Sequence, residues 1–369
     1  MSWTSWANAE LASLRSADRL RSLVAFDGSS TSAMVAGRHV ISFATNDYLG
    51  LANHPQVCAA ARAAIEQFGV GSGSSRLITG TRSLHLELES AIADWKRSEK
   101  ALVFPTGFAA NLGVLTTLGT QDCTIFSDAL NHASIIDGCR LARSRVEVYR
   151  HADCEHLAAL LVQHTGRKIV VTDAVFSMDG DLAPLQRIAE LCVEHRALLV
   201  IDEAHSVFEA HLPFMDGLEL LRIGTLSKTL GSLGGWVSGP ASLVDLLINR
   251  ARPFIYTTGL SSADTAAALA ALRVSRSPEG DQLRARLRRN IDLIRPHHPT
   301  PIVAVILGAA RAALAAAETM LRAGVYVPAI RPPTVPEGTA RLRITLSAAH
   351  SDEMIARLQA ALDRVSDAS

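Results

Sequence analysis

From about Gly69 the chain alternates between compact apolar runs and longer amphipathic segments. The runs are KALVFP, CTIFSD, RVEVYR, KIVVTDAV, ALLVIDEA, LLRIGTLS and GGWVSGP, spread from Lys100 to Pro240. Between them stand SLHLELESAIADWKR, GFAANLGVLTTLG, HASIIDGCRLAR and APLQRIAELCVEHR, whose apolar residues recur at helical spacing. Short apolar runs bounded by turn residues predict strands buried on both faces. Alternating with helices, they predict an α/β fold with a mostly parallel central sheet covered on both sides. Upstream, residues 8–24 carry a helical pattern, and RHVISFATNDYLGL is extended. After PFIYTTGLSSADT the chain becomes alanine-rich, then offers TPIVAVILG, a long helix and ARLRITLS. That pattern predicts a smaller α+β domain. The expected divisions are an N-terminal helix and extended segment over 1–45, a large α/β domain over 46–255 and a small domain over 256–369.

Composition narrows the classes. The 369 residues are 48% hydrophobic and 20% charged, enough for a substantial core. Lys plus Arg and Asp plus Glu both number 36, so net charge is zero, and a nucleic-acid partner has little support. The N-terminus lacks the apolar stretch of a signal peptide. The stretch from Pro301, PIVAVILGAARAALAAAETML, changes from β-branched to alanine-rich, so a strand and a helix are expected there rather than a membrane span. A cytoplasmic protein is expected, with the five cysteines as reduced thiols because none are spaced as C-x-x-C.

Open parallel sheets bind ligands beyond the carboxyl ends of their strands. Four expected strand ends carry polar or glycine-rich chemistry: Gly107 and Phe108, Ser177, Asp202 with His205, and Lys228. The stretch VIDEAHS imitates the magnesium-binding motif of helicases, and GTLSKTLG ends like a phosphate loop. A phosphate loop needs glycines where this chain has Arg222 and Ser227, and its lysine precedes the acidic motif rather than following it. GSGSSRLITG places Arg76 at the third glycine of a dinucleotide fingerprint, with no strand before it. A lysine and an aspartate on separate strand ends suit pyridoxal phosphate instead. Lysine condenses with its aldehyde, a carboxylate keeps its ring nitrogen protonated, and N–H and hydroxyl groups hold its phosphate.

Eight motifs then occur in order: NDYLGL (46–51), GSGSSRLITGT (71–81), FPTGFAAN (104–111), LNHASIIDG (130–138), VFSMDGD (175–181), VIDEAHS (200–206), GTLSKTLGSLGG (224–235) and IRPPTVPEGTARLRITLSAAH (330–350). Together they resemble the α-oxoamine synthase family of fold type I pyridoxal-phosphate transferases, over nearly the whole chain. The resemblance implies roles at matching positions. Lys228 would carry the cofactor and move protons at the substrate Cα, and Asp202 would face the ring nitrogen. His205 would meet the ring oxygen and His132 would stack on the ring. Ser177 would also bind the cofactor, and Gly107, Phe108 and Thr225 would receive its phosphate. Arg343 would grip the amino-acid carboxylate, Arg21 and Thr334 would contact the acyl thioester, and Asn46 and Tyr48 would line that site. The last motif points to decarboxylative condensation of L-alanine with a pimeloyl thioester, on coenzyme A or an acyl carrier protein. Other members use glycine or serine, and a catalytically weakened cofactor-binding homologue is a further alternative. The family also implies a homodimer.

The bland readings are concrete. His132 suits a helix cap, His205 a satisfied core histidine, Ser177 a turn, and Arg21 a solvated face of the first helix. Arg341 and Arg343 share one strand face, so one of them is open to a surface role. Two stretches depart from the family. SVFEAHLPFMDGLEL after the DEAH residues is short and lacks a glycine before Gly217, and the segment between Arg276 and Thr300 is compressed.

Overall fold

The computed structural model describes residues 2–208, 212 and 215–366. Contacts divide the chain into two compact units: Leu49–Ser177 with Asp181–Arg284, and Met1–Tyr48 with Met178–Gly180 and Ala285–Ser369. The linear boundaries expected at residues 45 and 255 follow neither unit, for local reasons. Helix Ser262–Ser275 packs on helices Pro55–Phe68 and Ser83–Lys96, which keeps it in the larger unit. Strand Val325–Tyr326 pairs in parallel with Arg38–Ser42, which joins the N-terminal residues to the C-terminal unit.

The larger unit contains the seven apolar runs as seven strands: β1 (Lys100–Phe104), β2 (Cys123–Asp128), β3 (Arg145–Tyr149), β4 (Arg167–Asp173), β5 (Ala197–Asp202), β6 (Leu220–Thr225) and β7 (Gly235–Gly239). They form one sheet in the order β1-β7-β6-β5-β4-β2-β3. β7 runs antiparallel to both β1 and β6, and the other pairings are parallel. Successive strand residues feed opposite faces. Ile125, Ile169, Val171 and Val200 join one buried cluster with helices Gly107–Leu118, Ala133–Leu141 and Ala241–Arg250. Phe126, Val170, Leu199 and Ile201 join a second with helices Cys154–Gln163 and Leu185–Glu194. Burying each such aliphatic side chain contributes about 1.5–3 kcal/mol. With both faces apolar, polar residues gather at strand ends: Asp128, Asp173, Asp202 and Thr225 close β2, β4, β5 and β6.

The smaller unit has an antiparallel sheet of β8 (Ile302–Gly308), β9 (Ala329–Ile330) and β10 (Ala340–Thr345), with β10 central. Helix Ala310–Arg322 packs on it. The first helix spans Trp3–Ser16, shorter than the expected 8–24 at its end, and Asp18 beyond it has a left-handed φ of 55°. Arg21 therefore lies outside that helix. The compressed segment after Arg276 is occupied by one helix, Pro278–Ile294. Among the described residues no helix is long and apolar enough to cross a membrane.

Candidate active site

The carboxyl ends of β4, β5 and β6 gather the predicted cofactor residues in the larger unit. β4 and β5 are in register, with Asp173 opposite Asp202. Asp202 is buried and doubly held: its Oδ1 accepts from the Ala204 N–H at 2.8 Å, and its Oδ2 accepts from Asn111 Nδ2 at 2.6 Å. His205 follows on the turn after β5, also buried, and its Nε2 lies 2.7 Å from Lys228 Nζ. Lys228 stands on the turn after β6.

His132 caps helix Ala133–Leu141 as the bland alternative expects, its Nδ1 accepting from the Ser134 N–H at 3.2 Å. It does more than cap. Its own N–H donates to Asp173 Oδ2 at 2.7 Å, and its Nδ1 lies 2.7 Å from Ser134 Oγ. The residue is exposed on one side, yet the surrounding protein disfavours the imidazolium and lowers its pKa. Asp202 pulls the other way and Lys228 adds to the lowering. Burial pushes the Asp173 carboxyl well above the usual range, and the Asp202 charge pushes it further. The His132 N–H opposes both.

A phosphate-sized anion has a cradle in the same unit. Thr106 caps helix Gly107–Leu118 through the Ala109 N–H, and its carbonyl takes the Ala110 N–H. The N–H groups of Gly107 and Phe108 belong to the first turn, which has no intrahelical acceptors. A Cβ on Gly107 would come within 3.3 Å of Thr225 Cβ and 3.6 Å of the Gly224 carbonyl, so the small residue keeps that approach open. The Thr225 hydroxyl, donating to the Gly234 carbonyl at 2.9 Å, also stands 2.7 Å from Ser227 Oγ. Lysine, buried carboxylate, two imidazoles and this cradle fit pyridoxal phosphate. Ser177 is half-buried on the turn after Phe176.

The expected substrate residues fall in the smaller unit. Arg341 and Arg343 lie two apart on β10 and are 3% and 5% exposed, so neither is a surface charge. Arg341 forms an ion pair with Asp179 and donates to the carbonyls of Thr339 and Met178. Arg343 donates to Thr345 Oγ1 at 3.0 Å and Asn46 Oδ1 at 3.2 Å, both uncharged. Tyr48, fully buried, donates its hydroxyl to the same Asn46 oxygen at 3.2 Å. Burial raises the Tyr48 phenol to about 12 against the lowering effect of Arg343. Asn46 and Tyr48 thus form the immediate surroundings of Arg343. Arg21 Nη2 donates to Thr334 Oγ1 at 3.0 Å, which brings the two expected thioester contacts together.

Sequence reading did not single out Asn111, Ser134, Asp173 or Asp179. Asn111 left one trace: it is the one amide side chain in the mostly apolar helix segment GFAANLGVLTTLG. Of the short stretch after Val207, residues 209–211, 213 and 214 lie outside the described residues.

The family model for aminotransferase class I and II matches residues 38–362. A curated 8-amino-7-oxononanoate synthase of Geobacter sulfurreducens is 45% identical, covering 96% of this chain and 96% of its own. One from Anaeromyxobacter dehalogenans (strain 2CP-1) is 45% identical, covering 98% and 95%. Among solved structures, a Sphingomonas wittichii serine palmitoyltransferase superposes with a TM-score of 0.92 at 32% identity, covering 100% of this chain and 99% of its own. An 8-amino-7-oxononanoate synthase from Francisella tularensis gives 0.74 at 26% identity, covering 89% and 97%. The strand-end lysine, its aspartate and these matches define a fold type I enzyme, and the chain belongs to the aminotransferase class I and II family, within it to the α-oxoamine synthases.

Proposed function

We propose that this chain is a pyridoxal-phosphate-dependent 8-amino-7-oxononanoate synthase, condensing L-alanine with a pimeloyl thioester and releasing CO2. The observation that carries the proposal is the strand-end arrangement: Lys228 Nζ 2.7 Å from His205 Nε2, with the buried Asp202 carboxylate oriented by two N–H donors. When bound, pyridoxal phosphate supplies an electron-accepting ring that takes up the charge left as bonds at the amino-acid Cα break. Lys228 would hold it covalently, Asp202 would face its ring nitrogen, His205 its ring oxygen and His132 its face. Ser177 would add a polar contact. Gly107, Phe108 and Thr225 would take the phosphate.

The remaining work falls to side chains. The Lys228 amine would take the proton from the alanine Cα and later return one to the product. Arg343 would fork onto the alanine carboxylate and so orient the bonds at its Cα. Arg341 is committed to Asp179, which supports Arg343 for this role. Arg21 and Thr334 would meet the acyl thioester.

Curated relatives at 45% identity bear the 8-amino-7-oxononanoate synthase name, which supports alanine over serine. The high structural likeness to serine palmitoyltransferase keeps serine as the second reading. A homodimer, a cytoplasmic location and an acyl carrier protein as alternative thioester donor are part of the proposal. The test is a substrate matrix: alanine, glycine and serine against pimeloyl and palmitoyl thioesters, on coenzyme A and on carrier protein. Alanine with pimeloyl thioester should give the fastest CO2 release. Faster turnover of serine with palmitoyl thioester would replace this function with the second. Borohydride should fix the cofactor to the peptide containing Lys228, and Lys228→Ala should abolish both fixation and turnover.

A further inference from the structure

We infer that Asn111 is a positioning residue for Asp202, and that Ser134 extends the same bridge to His132. The inference rests on the cofactor reading above, which assigns Asp202 to the ring nitrogen. Asn111 is 1% exposed and Ser134 fully buried, so neither hydrogen bond competes with bulk water. Asn111 Nδ2 donates to Asp202 Oδ2 at 2.6 Å and to Ser134 Oγ at 2.9 Å. An ionised carboxylate only accepts, so the amide end of Asn111 must face it. Both amide hydrogens are then used.

The direction continues through Ser134. Its hydroxyl accepts from Asn111, leaving its own hydrogen for His132 Nδ1, 2.7 Å away. The Ser134 N–H points at the same Nδ1, at 3.2 Å. An Nδ1 receiving two donors is unprotonated, so the His132 proton sits on Nε2. One asparagine therefore orients the carboxylate at the end of β5 and, through one serine, selects the tautomer of the imidazole on the helix after β2. The charged groups facing this bridge are Asp202, Asp173 and Lys228.

The other end of the amide supports the same conclusion. Asn111 Oδ1 is buried and has no hydrogen-bond partner among the described residues. A buried unsatisfied carbonyl is unfavourable, and leucine or alanine in this helix would avoid it. The polar residue stands there for its two donors.

The discriminating probe is a pair of ligands: pyridoxal phosphate and its 1-deaza analogue, which lacks the ring nitrogen. Apoprotein is titrated with each and the dissociation constants are compared, with no turnover involved. Wild type should prefer pyridoxal phosphate. If Asn111 acts through Asp202, Asn111→Ala should weaken pyridoxal phosphate about tenfold or more, the scale of one charge-assisted hydrogen bond. The deaza analogue should change little, so the preference collapses. Equal weakening of both ligands would mean a merely structural asparagine and would overturn the inference, as would an unchanged preference. Asn111→Ser takes the same measurement if the alanine variant does not fold. Ser134→Ala should reduce the preference less, while Ser134→Thr, which keeps the hydroxyl, should restore it. A Ser134→Ala protein matching wild type would remove Ser134 from the bridge. Wild type binding neither ligand would instead overturn the cofactor reading, and wild type without preference would overturn the role of Asp202.

Discussion

In the larger unit a buried anion, Asp202, is met by N–H donors from a side chain and the backbone. In the smaller unit two buried cations, Arg341 and Arg343, sit two residues apart on one strand, and Arg341 forms an ion pair with Asp179. The larger unit also holds Glu203, where burial would raise the pKa but Lys96 and Arg222 outweigh it and lower it. Full pairing marks structural charges: Glu203 with Lys96 and Arg222, and Arg341 with Asp179. Asp202 accepts from the uncharged amides of Asn111 and Ala204, and Arg343 donates to the uncharged side chains of Thr345 and Asn46, contacts that orient a charge. Such groups are the ones suited to receive a ligand of opposite sign.

Asp202→Asn gives the largest expected effect on this contrast. The amide keeps the size but not the charge, so the electron-accepting capacity at the ring nitrogen is lost. We expect cofactor binding to weaken but remain measurable, while exchange of the alanine Cα proton at saturating cofactor slows by at least about a hundredfold, roughly 2.7 kcal/mol of barrier. Proton exchange into deuterated solvent, followed by NMR, measures it. Near-normal exchange would place Asp202 with Glu203 among the structural charges. The control, Glu203→Gln, should lower the melting temperature because it strands Lys96 and Arg222, a cost of about 3–5 kcal/mol for a broken buried pair.

The strands were readable because each apolar run ended in a turn signal, and all seven appear in the sheet. The antiparallel placement of β7 was not readable. Pairing partners depend on the whole sheet, and GGWVSG is equally apolar in either direction. The site residues with strand-end positions, Lys228, Asp202 and His205, were legible because a polar residue after an apolar run has few other uses. Asn111 was not, since one polar residue in a helix carries no direction until the helix is docked. Asp179 was invisible as a partner for Arg341 because 162 residues separate them. Strand alternation correctly put Arg341 and Arg343 on one face, but only the partner shows which is already paired.

Arg343→Lys and Arg341→Lys test that distinction at a smaller scale. Lysine keeps the charge but loses the two-pronged donor. In Arg343→Lys the alanine KM or dissociation constant should rise about ten- to hundredfold, matching one charge-assisted hydrogen bond of about 1.5–3 kcal/mol. In Arg341→Lys alanine binding should hold within about threefold, with any loss appearing in melting temperature. Spectral titration with L-alanine, beside a thermal scan, separates the two. Equal weakening of alanine in both variants would dissolve the contrast between a paired and a receptive arginine.

The smallest effect concerns a further group paired with carboxylates, one that titrates. His151 bridges two carboxylates in the larger unit, with Nδ1 2.9 Å from Asp128 Oδ1 and Nε2 2.7 Å from Asp181 Oδ2, and its ring meets Phe176 edge-on at 4.4 Å. Burial alone would lower its pKa, but the hydrogen bonds and charges of Asp128 and Asp181 outweigh burial and raise it above the ordinary 6.5. A raised folded-state pKa means that His151 stabilises the fold fully below 6.5 and loses that contribution as pH climbs through the higher folded-state value. His151→Gln keeps a polar side chain but cannot take up the proton. The wild-type apoprotein should therefore lose more melting temperature than His151→Gln between pH 6 and pH 9, by on the order of 2 °C for a chain of this size. Below pH 6 the variant should be the less stable of the two, because it leaves Asp128 and Asp181 facing each other without a cation. Parallel pH profiles would mean that His151 stays neutral between its carboxylates, and that full pairing of buried charge in this unit ends with Glu203.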